Sequence, residues 1–239
     1  LLSRRQRQMC IRDSMYVILN IHHEEWINRS DFPTAYDEMS ERLKQMWTQI
    51  ATYFKDYDQH LIFEGMNEPR QVGASYEWQG NAECYEVVNK LDTDFVNTVR
   101  SIDSPYQNTR LLMIPPYAAS AYASSYSSLV VPDDDYVAVS LHAYTPYDFA
   151  MGNGDHTTFS NKNKGDLDTL FSDIQYYFTD KDIPVVMGEF SASNFNNTEA
   201  RCDWATYYLT WTKKLGIPCV LWDNNAITNS VSASEAHGY

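Results

Sequence analysis

The sequence predicts an α/β fold, a parallel βα-barrel present here in part, and three observations carry that prediction. Short apolar runs alternate with longer stretches in which apolar residues recur every three or four positions. Polar and aromatic residues cluster just after the apolar runs, at the strand ends where a βα-barrel holds its active site. Two of these runs, LIFEGMNEPR (61–70) and PVVMGEFSA (184–192), deliver a carboxylate at or just past their ends, Glu68 and Glu189.

The elements follow in order. MYVILNIHH is a buried-type strand that runs into polar residues. Residues 34–56 are predicted helical, with Met39, Leu43, Met46, Ile50 and Phe54 on one face. HLIFEG is the second strand, and a helix over roughly 82–102 presents Val88, Leu91, Phe95, Val99 and Ile102. RLLMIP is a third strand, followed by a short small-residue helix near 119–129. DYVAVSLHAY is a fourth strand, and residues 165–179 form a helix through Leu167, Leu170, Phe171, Ile174 and Phe178. IPVVMGEF is the fifth strand, residues 199–215 the next helix with Trp204, Tyr208, Trp211 and Leu215 inward, and IPCVLWDN the sixth strand. Strands joined through helices imply parallel pairing with right-handed crossovers. Six strands are too few to close an eight-stranded barrel. The expectation is therefore a fragment that lacks two βα units and a last helix, and that is insoluble or molten when expressed alone.

Composition narrows the function. A net charge of −14 makes nucleic acid and anionic membranes poor partners, whereas a neutral polymer is not repelled. No window is apolar and long enough to span a bilayer. Cys10, Cys84, Cys202 and Cys219 show neither metal-site spacing nor a disulfide framework. Residues 1–14 carry four arginines against one aspartate in an otherwise acidic chain. They are read as a foreign or disordered segment, with 15–239 as the partial catalytic barrel. Two carboxylates facing one cleft are the minimal machinery for cleaving a glycosidic bond. The plainer reading of either glutamate alone is a strand end pointing to solvent; two together favour catalysis.

The runs ILNIHHEEW, IFEGMNEP, SLHAYTPYDFA, VVMGEF and CVLWDNN occur in this order and at the spacing of glycoside hydrolase family 5, which the chain resembles from Met15 onward. The likeness is strongest to the endoglucanase and xyloglucanase branch. It implies a TIM (β/α)8 barrel, incomplete here, with strands three to eight present. It also implies a retaining endo-β-1,4-glycanase acting on β-glucan polysaccharides such as cellulose and xyloglucan. By that resemblance Glu68 is the acid/base and Glu189 the nucleophile. Asn67 holds the sugar 2-hydroxyl, His142 and Tyr144 stand beside the catalytic pair, and His22 and His23 line the site. Trp222 is the aromatic platform, and Asn224 and Trp26 are weaker candidates for neighbouring subsites. The Trp222–Asp223 peptide is expected to be cis. The family's arginine beside the nucleophile lies on a strand that precedes this sequence, and Arg4, Arg5, Arg7 and Arg12 cannot take its place.

The cluster His22-His23-Glu24-Glu25 has no HExxH or HxH pattern. The resemblance implies no metal and no cofactor. It implies a polysaccharide or oligosaccharide partner, a monomeric catalytic domain and secretion to where the polymer is. Trp47, Trp204 and Trp211 sit at helical positions and read as packing, and Asp133-Asp134-Asp135 as a solvated loop. The alternative from another class is a non-catalytic glycan-binding barrel, or a fragment too incomplete to act. Retention of both glutamates argues against binding alone.

Overall fold

The computed structural model describes residues 15–22, 24–152, 158–227 and 231–239. Segment 1–14 and His23 lie outside them. The described chain divides into two compact units, and the boundary, between Ser140 and Leu141, lies inside one strand.

In the first unit, strand β1 (Val17–Asn20) pairs with β2 (Leu61–Glu64), β2 with β3 (Leu112–Ile114), and β3 with β4 (Val137–His142), all parallel. Register sets Val17 opposite Leu61, Phe63 opposite Leu112, and Leu112 opposite Val137. Every residue of β2 is buried, which is why its sequence is a continuous apolar run rather than an alternating one. The helices α1 (Tyr36–Tyr53) and α2 (Ala82–Arg100) supply the core wall. Trp47 of α1 is fully buried against Phe63 and Phe95, and its indole N–H donates to the Gly65 carbonyl at 2.9 Å. Gly65 is required there, because a Cβ would stand 2.6 Å from the Phe95 ring. Asn81 caps α2 by accepting from the Cys84 N–H.

Below the sheet, the fully buried guanidinium of Arg110 donates to the carbonyls of Tyr57, Asp58 and Leu61 and to the Gln107 side chain. Burial pushes its pKa down to about 10. The single small-residue helix expected near 119–129 is two pieces. A 3-10 turn, Tyr117–Ala119, is followed by α3 (Ala123–Ser128). Ala118 and Ala119 take positive φ angles between them, where the Ala118 N–H donates to the Pro69 carbonyl at 2.9 Å. The acidic run at 133–135 is not simply solvated. Asp134 takes two hydrogen bonds from Arg100, which hold its carboxyl below the usual range.

The second unit begins with the last residues of β4, after which the Ala143 N–H donates to the Glu189 carbonyl at 3.0 Å. Here β5 (Val185–Phe190) pairs in parallel with β6 (Cys219–Leu221), with one irregularity between Met187 and Phe190. Helices α4 (Tyr147–Ala150), α5 (Asn161–Tyr177) and α6 (Thr198–Leu215) complete it. A Ser160/Asn163 capping box starts α5 four residues earlier than its apolar pattern indicates. From α6, Trp204 and Tyr208 pack on Phe190. Trp204 donates to the Thr145 carbonyl and Tyr208 to that of Ala143. Gly216 ends α6 in the left-handed conformation that a glycine adopts without strain. Six parallel-type strands interleaved with helices make this an incomplete TIM (β/α)8 fold. Cys84, Cys202 and Cys219 are free thiols, and no described helix is long and apolar enough to cross a membrane.

Candidate active site

The carboxylate-bearing strand ends are built from local rules. In the first unit, β1 ends at Asn20, whose amide N–H donates to Glu64 Oε2 at 2.9 Å and approaches Asn67 Oδ1 at 3.5 Å. The same amide nitrogen lies 3.3 Å from His22 Nδ1, so the ring nitrogen accepts. Glu64 is buried, and its other oxygen takes the Ser140 hydroxyl. A carboxylate inside an apolar strand is thereby satisfied. Asn67 is buried too, its backbone N–H donating to the Ile21 carbonyl at 3.1 Å.

Glu68 follows, with Pro69 biasing its backbone toward extended geometry. Its side chain remains partly open, at 17% exposure. Arg70 Nη1 lies 3.6 Å from Glu68 Oε2 and donates to the Glu68 carbonyl at 3.2 Å. Arg70 is itself fixed by Glu77 at 3.1 Å and by the half-exposed Trp78 ring, 4.3 Å beneath its guanidinium. The Gly73 N–H and Arg70 together keep Glu77 below the usual carboxylate range.

In the second unit, His142 and Tyr144 project from the end of β4 two residues apart and so face the same way. Both meet Glu189 of β5. The Tyr144 hydroxyl donates to Glu189 Oε2 at 2.6 Å, and His142 Nδ1 lies 3.6 Å from the same oxygen. The Glu189 side chain is 12% exposed, enough to be reached. Trp222 follows β6 half-buried, its N–H donating to the Phe190 carbonyl at 3.0 Å.

A second layer supports this end of β5. His237 is buried, with Nε2 3.0 Å from the Ser234 carbonyl and Nδ1 2.9 Å from Ser191 Oγ. A carbonyl only accepts, so Nε2 carries the proton and the serine hydroxyl donates to Nδ1. Burial lowers the pKa of this histidine below the usual value and keeps the ring neutral. Its ring stands edge-on to Tyr144 with centroids 5.5 Å apart. The Tyr239 hydroxyl joins Ser191 and the Ala192 N–H, while Arg201 covers the Tyr239 ring at 4.0 Å.

Several sequence candidates sit differently from their expected roles. Trp26 is a core residue at 7% exposure, its N–H bonded to Glu24 and its ring faced by Arg42, so it offers no open face to a sugar. Asn224 is exposed, but its amide is occupied by the Glu235 carbonyl and the Ala226 N–H. Among the described residues Thr145–Pro146 is the only cis peptide. The Trp222–Asp223 bond is therefore trans, the ordinary state of a non-proline bond. His23 lies outside the described residues. Asn20, Glu64, Arg70, Trp78, Ser191 and His237 were not singled out in the sequence. For Glu64 and Asn20 a signal existed, a polar residue closing a buried strand. For His237 there was none.

Comparison with known proteins shows the family of the chain. A family model, Cellulase (glycosyl hydrolase family 5), matches residues 7–227. Endoglucanase A of Clostridium longisporum is 45% identical over 223 residues, which cover 90% of this chain and 42% of that protein. The chain spans about half the length of the curated relatives it matches. Among solved structures, a GH5-4 broad specificity endoglucanase from Ruminococcus flavefaciens superposes with a TM-score of 0.94 at 52% identity, covering 99% of this chain and 69% of that one. A GH5 xyloglucan-specific endo-beta-1,4-glucanase from a metagenomic library, solved with cellotriose, gives 0.90 at 33% identity over 97% of this chain and 68% of that one.

Proposed function

The chain belongs to the cellulase family, glycosyl hydrolase family 5, and from that premise we propose that it is catalytic sequence of a retaining endo-β-1,4-glycanase. The observation that carries the reading is the seating of Glu189. A carboxylate at the end of β5 that is oriented by the Tyr144 hydroxyl, and left partly open, is suited to attack an anomeric carbon. Glu189 attacks C1 of the sugar while Glu68 gives its proton to the departing glycosidic oxygen. Glu68 then takes a proton from water, and that water displaces Glu189 from C1. Two inversions leave the β configuration unchanged.

The remaining residues serve that chemistry. Asn67 holds the 2-hydroxyl, a contact that strengthens as positive charge develops on the ring. Trp222 supplies an apolar face beneath the sugar, and His22, His23 and His142 line its polar edge. The substrates are β-glucan polymers. β-1,4-glucan and xyloglucan lead, supported by relatives named for those activities, with xylan or mannan behind. The protein works as a monomer, without cofactor, outside the cell, because its polymeric substrate cannot enter one.

The test is hydrolysis of a polysaccharide panel, with the anomeric configuration of the first-formed product read by proton NMR. New reducing ends in the β configuration support the reading. Products in the α configuration overturn the double displacement, and an absence of hydrolysis on every polymer overturns the activity.

A further inference from the structure

Resting on the assignment of Glu189 as nucleophile, we propose that His237 is a positioning residue for it, acting through the ring of Tyr144. Tyr144 orients Glu189 while its own ring is held, and the His237 ring is a support that the second unit places edge-on against it. His237 has no freedom to turn. Nε2 is tied to the Ser234 carbonyl and Nδ1 to the Ser191 hydroxyl. Ser191 stands two residues beyond Glu189 on the same chain, so the nucleophile and the anchor of its supporting ring share one rigid backbone segment. Tyr239 closes the set by bonding Ser191 and the Ala192 N–H under the Arg201 guanidinium. A loop residue thus fixes, through one aromatic contact, a hydrogen bond of 2.6 Å to the reacting carboxylate. Misplacing a reacting group by about 1 Å can cost as much as a hundredfold in rate.

The experiment isolates the step that Glu189 performs. A 2,4-dinitrophenyl 2-deoxy-2-fluoro-β-cellobioside is attacked at C1 by the Glu189 carboxylate. The C1–O bond to the phenol breaks, dinitrophenolate leaves, and a stable glycosyl ester remains. No proton from Glu68 is needed, so the labelling rate reads the nucleophile alone. The wild-type protein should be labelled once, on Glu189. If it is not labelled, the proposed function fails rather than this inference. His237→Ala should slow labelling about tenfold or more, with little change in the inactivator concentration at half-maximal rate. His237→Phe restores the ring without its nitrogens and should recover most of the rate. His237→Gln keeps hydrogen-bonding groups without a ring and should not. Thermal midpoints for all three variants separate loss of fold from loss of positioning. Wild-type rates in folded His237→Ala, or equal losses in the Phe and Gln variants at matched stability, overturn the proposal.

Discussion

Tyr144 and Glu189 stand 2.6 Å apart, hydroxyl to carboxylate, from the ends of strands β4 and β5. A hydrogen bond to a charged group contributes about 1.5–3 kcal/mol. The tyrosine hydroxyl bonds Glu189 Oε2, and His142 Nδ1 stands 3.6 Å from the same oxygen. The carboxylate is oriented before any substrate arrives.

Tyr144→Phe removes that hydroxyl and keeps the ring. The expected outcome is a loss of about tenfold to a hundredfold in kcat/KM on a soluble β-glucan, the rate equivalent of one charged hydrogen bond. Steady-state kinetics check it, and an unchanged kcat/KM would show that the contact does not orient the nucleophile.

Glu68 and Glu189 should separate by leaving group. Glu189→Ala abolishes turnover on every substrate while the protein stays folded. Glu68→Ala hurts less on a dinitrophenyl glycoside than on a polymer, because a strongly acidic leaving group departs without a proton. Equal losses for the two variants on the dinitrophenyl substrate would contradict the division of roles.

Asp92 of α2 makes stability depend on pH. It is fully buried, and neither carboxyl oxygen has a hydrogen-bond partner among the described residues. Burial alone raises its pKa well above the usual value. In the unfolded chain the group ionises near pH 4. The folded protein holds its proton to higher pH than the unfolded chain does. This carboxyl therefore adds no pH-dependent cost below the unfolded pKa, and stability falls as pH rises above it, by about 1.4 kcal/mol per unit up to the folded pKa. Asp92→Asn removes the titration. Urea unfolding at pH 4, 5 and 6 should show the wild type losing stability relative to the variant at each step. Parallel pH dependences would mean that Asp92 ionises freely in the folded state.

Gly65→Ala probes the close packing between β2 and α2. The added methyl would lie 2.6 Å from the Phe95 ring, which Trp47 backs at a centroid distance of 4.7 Å and cannot vacate cheaply. Overpacking of this kind costs about 1–3 kcal/mol. The urea midpoint should fall accordingly, and a neutral substitution would show that Phe95 has room to move.

The sequence by itself determined the succession of strands and helices and the strand ends that carry Glu68 and Glu189. These are properties of short windows. A buried parallel strand must be apolar throughout, and a helix packing on it must repeat its apolar residues every three to four positions. Helix ends shifted by a few residues, as from 34–56 to Tyr36–Tyr53, and a side-chain cap at Ser160 and positive backbone angles at Ala118 account for two of the changes. What occupies each side chain was decided by tertiary structure. Trp26 turned inward because Glu24 and Arg42 satisfy and cover it. Asp134 left the solvent for Arg100, and Arg70 was locked by Glu77 and Trp78. Local periodicity says nothing of such partners, whose chemistry matches only when folding brings them together. His237 is the clearest case. Nothing in SASEAHGY marks it, and only the packing of that loop against β5 sets its ring on Tyr144, 93 positions earlier in the chain.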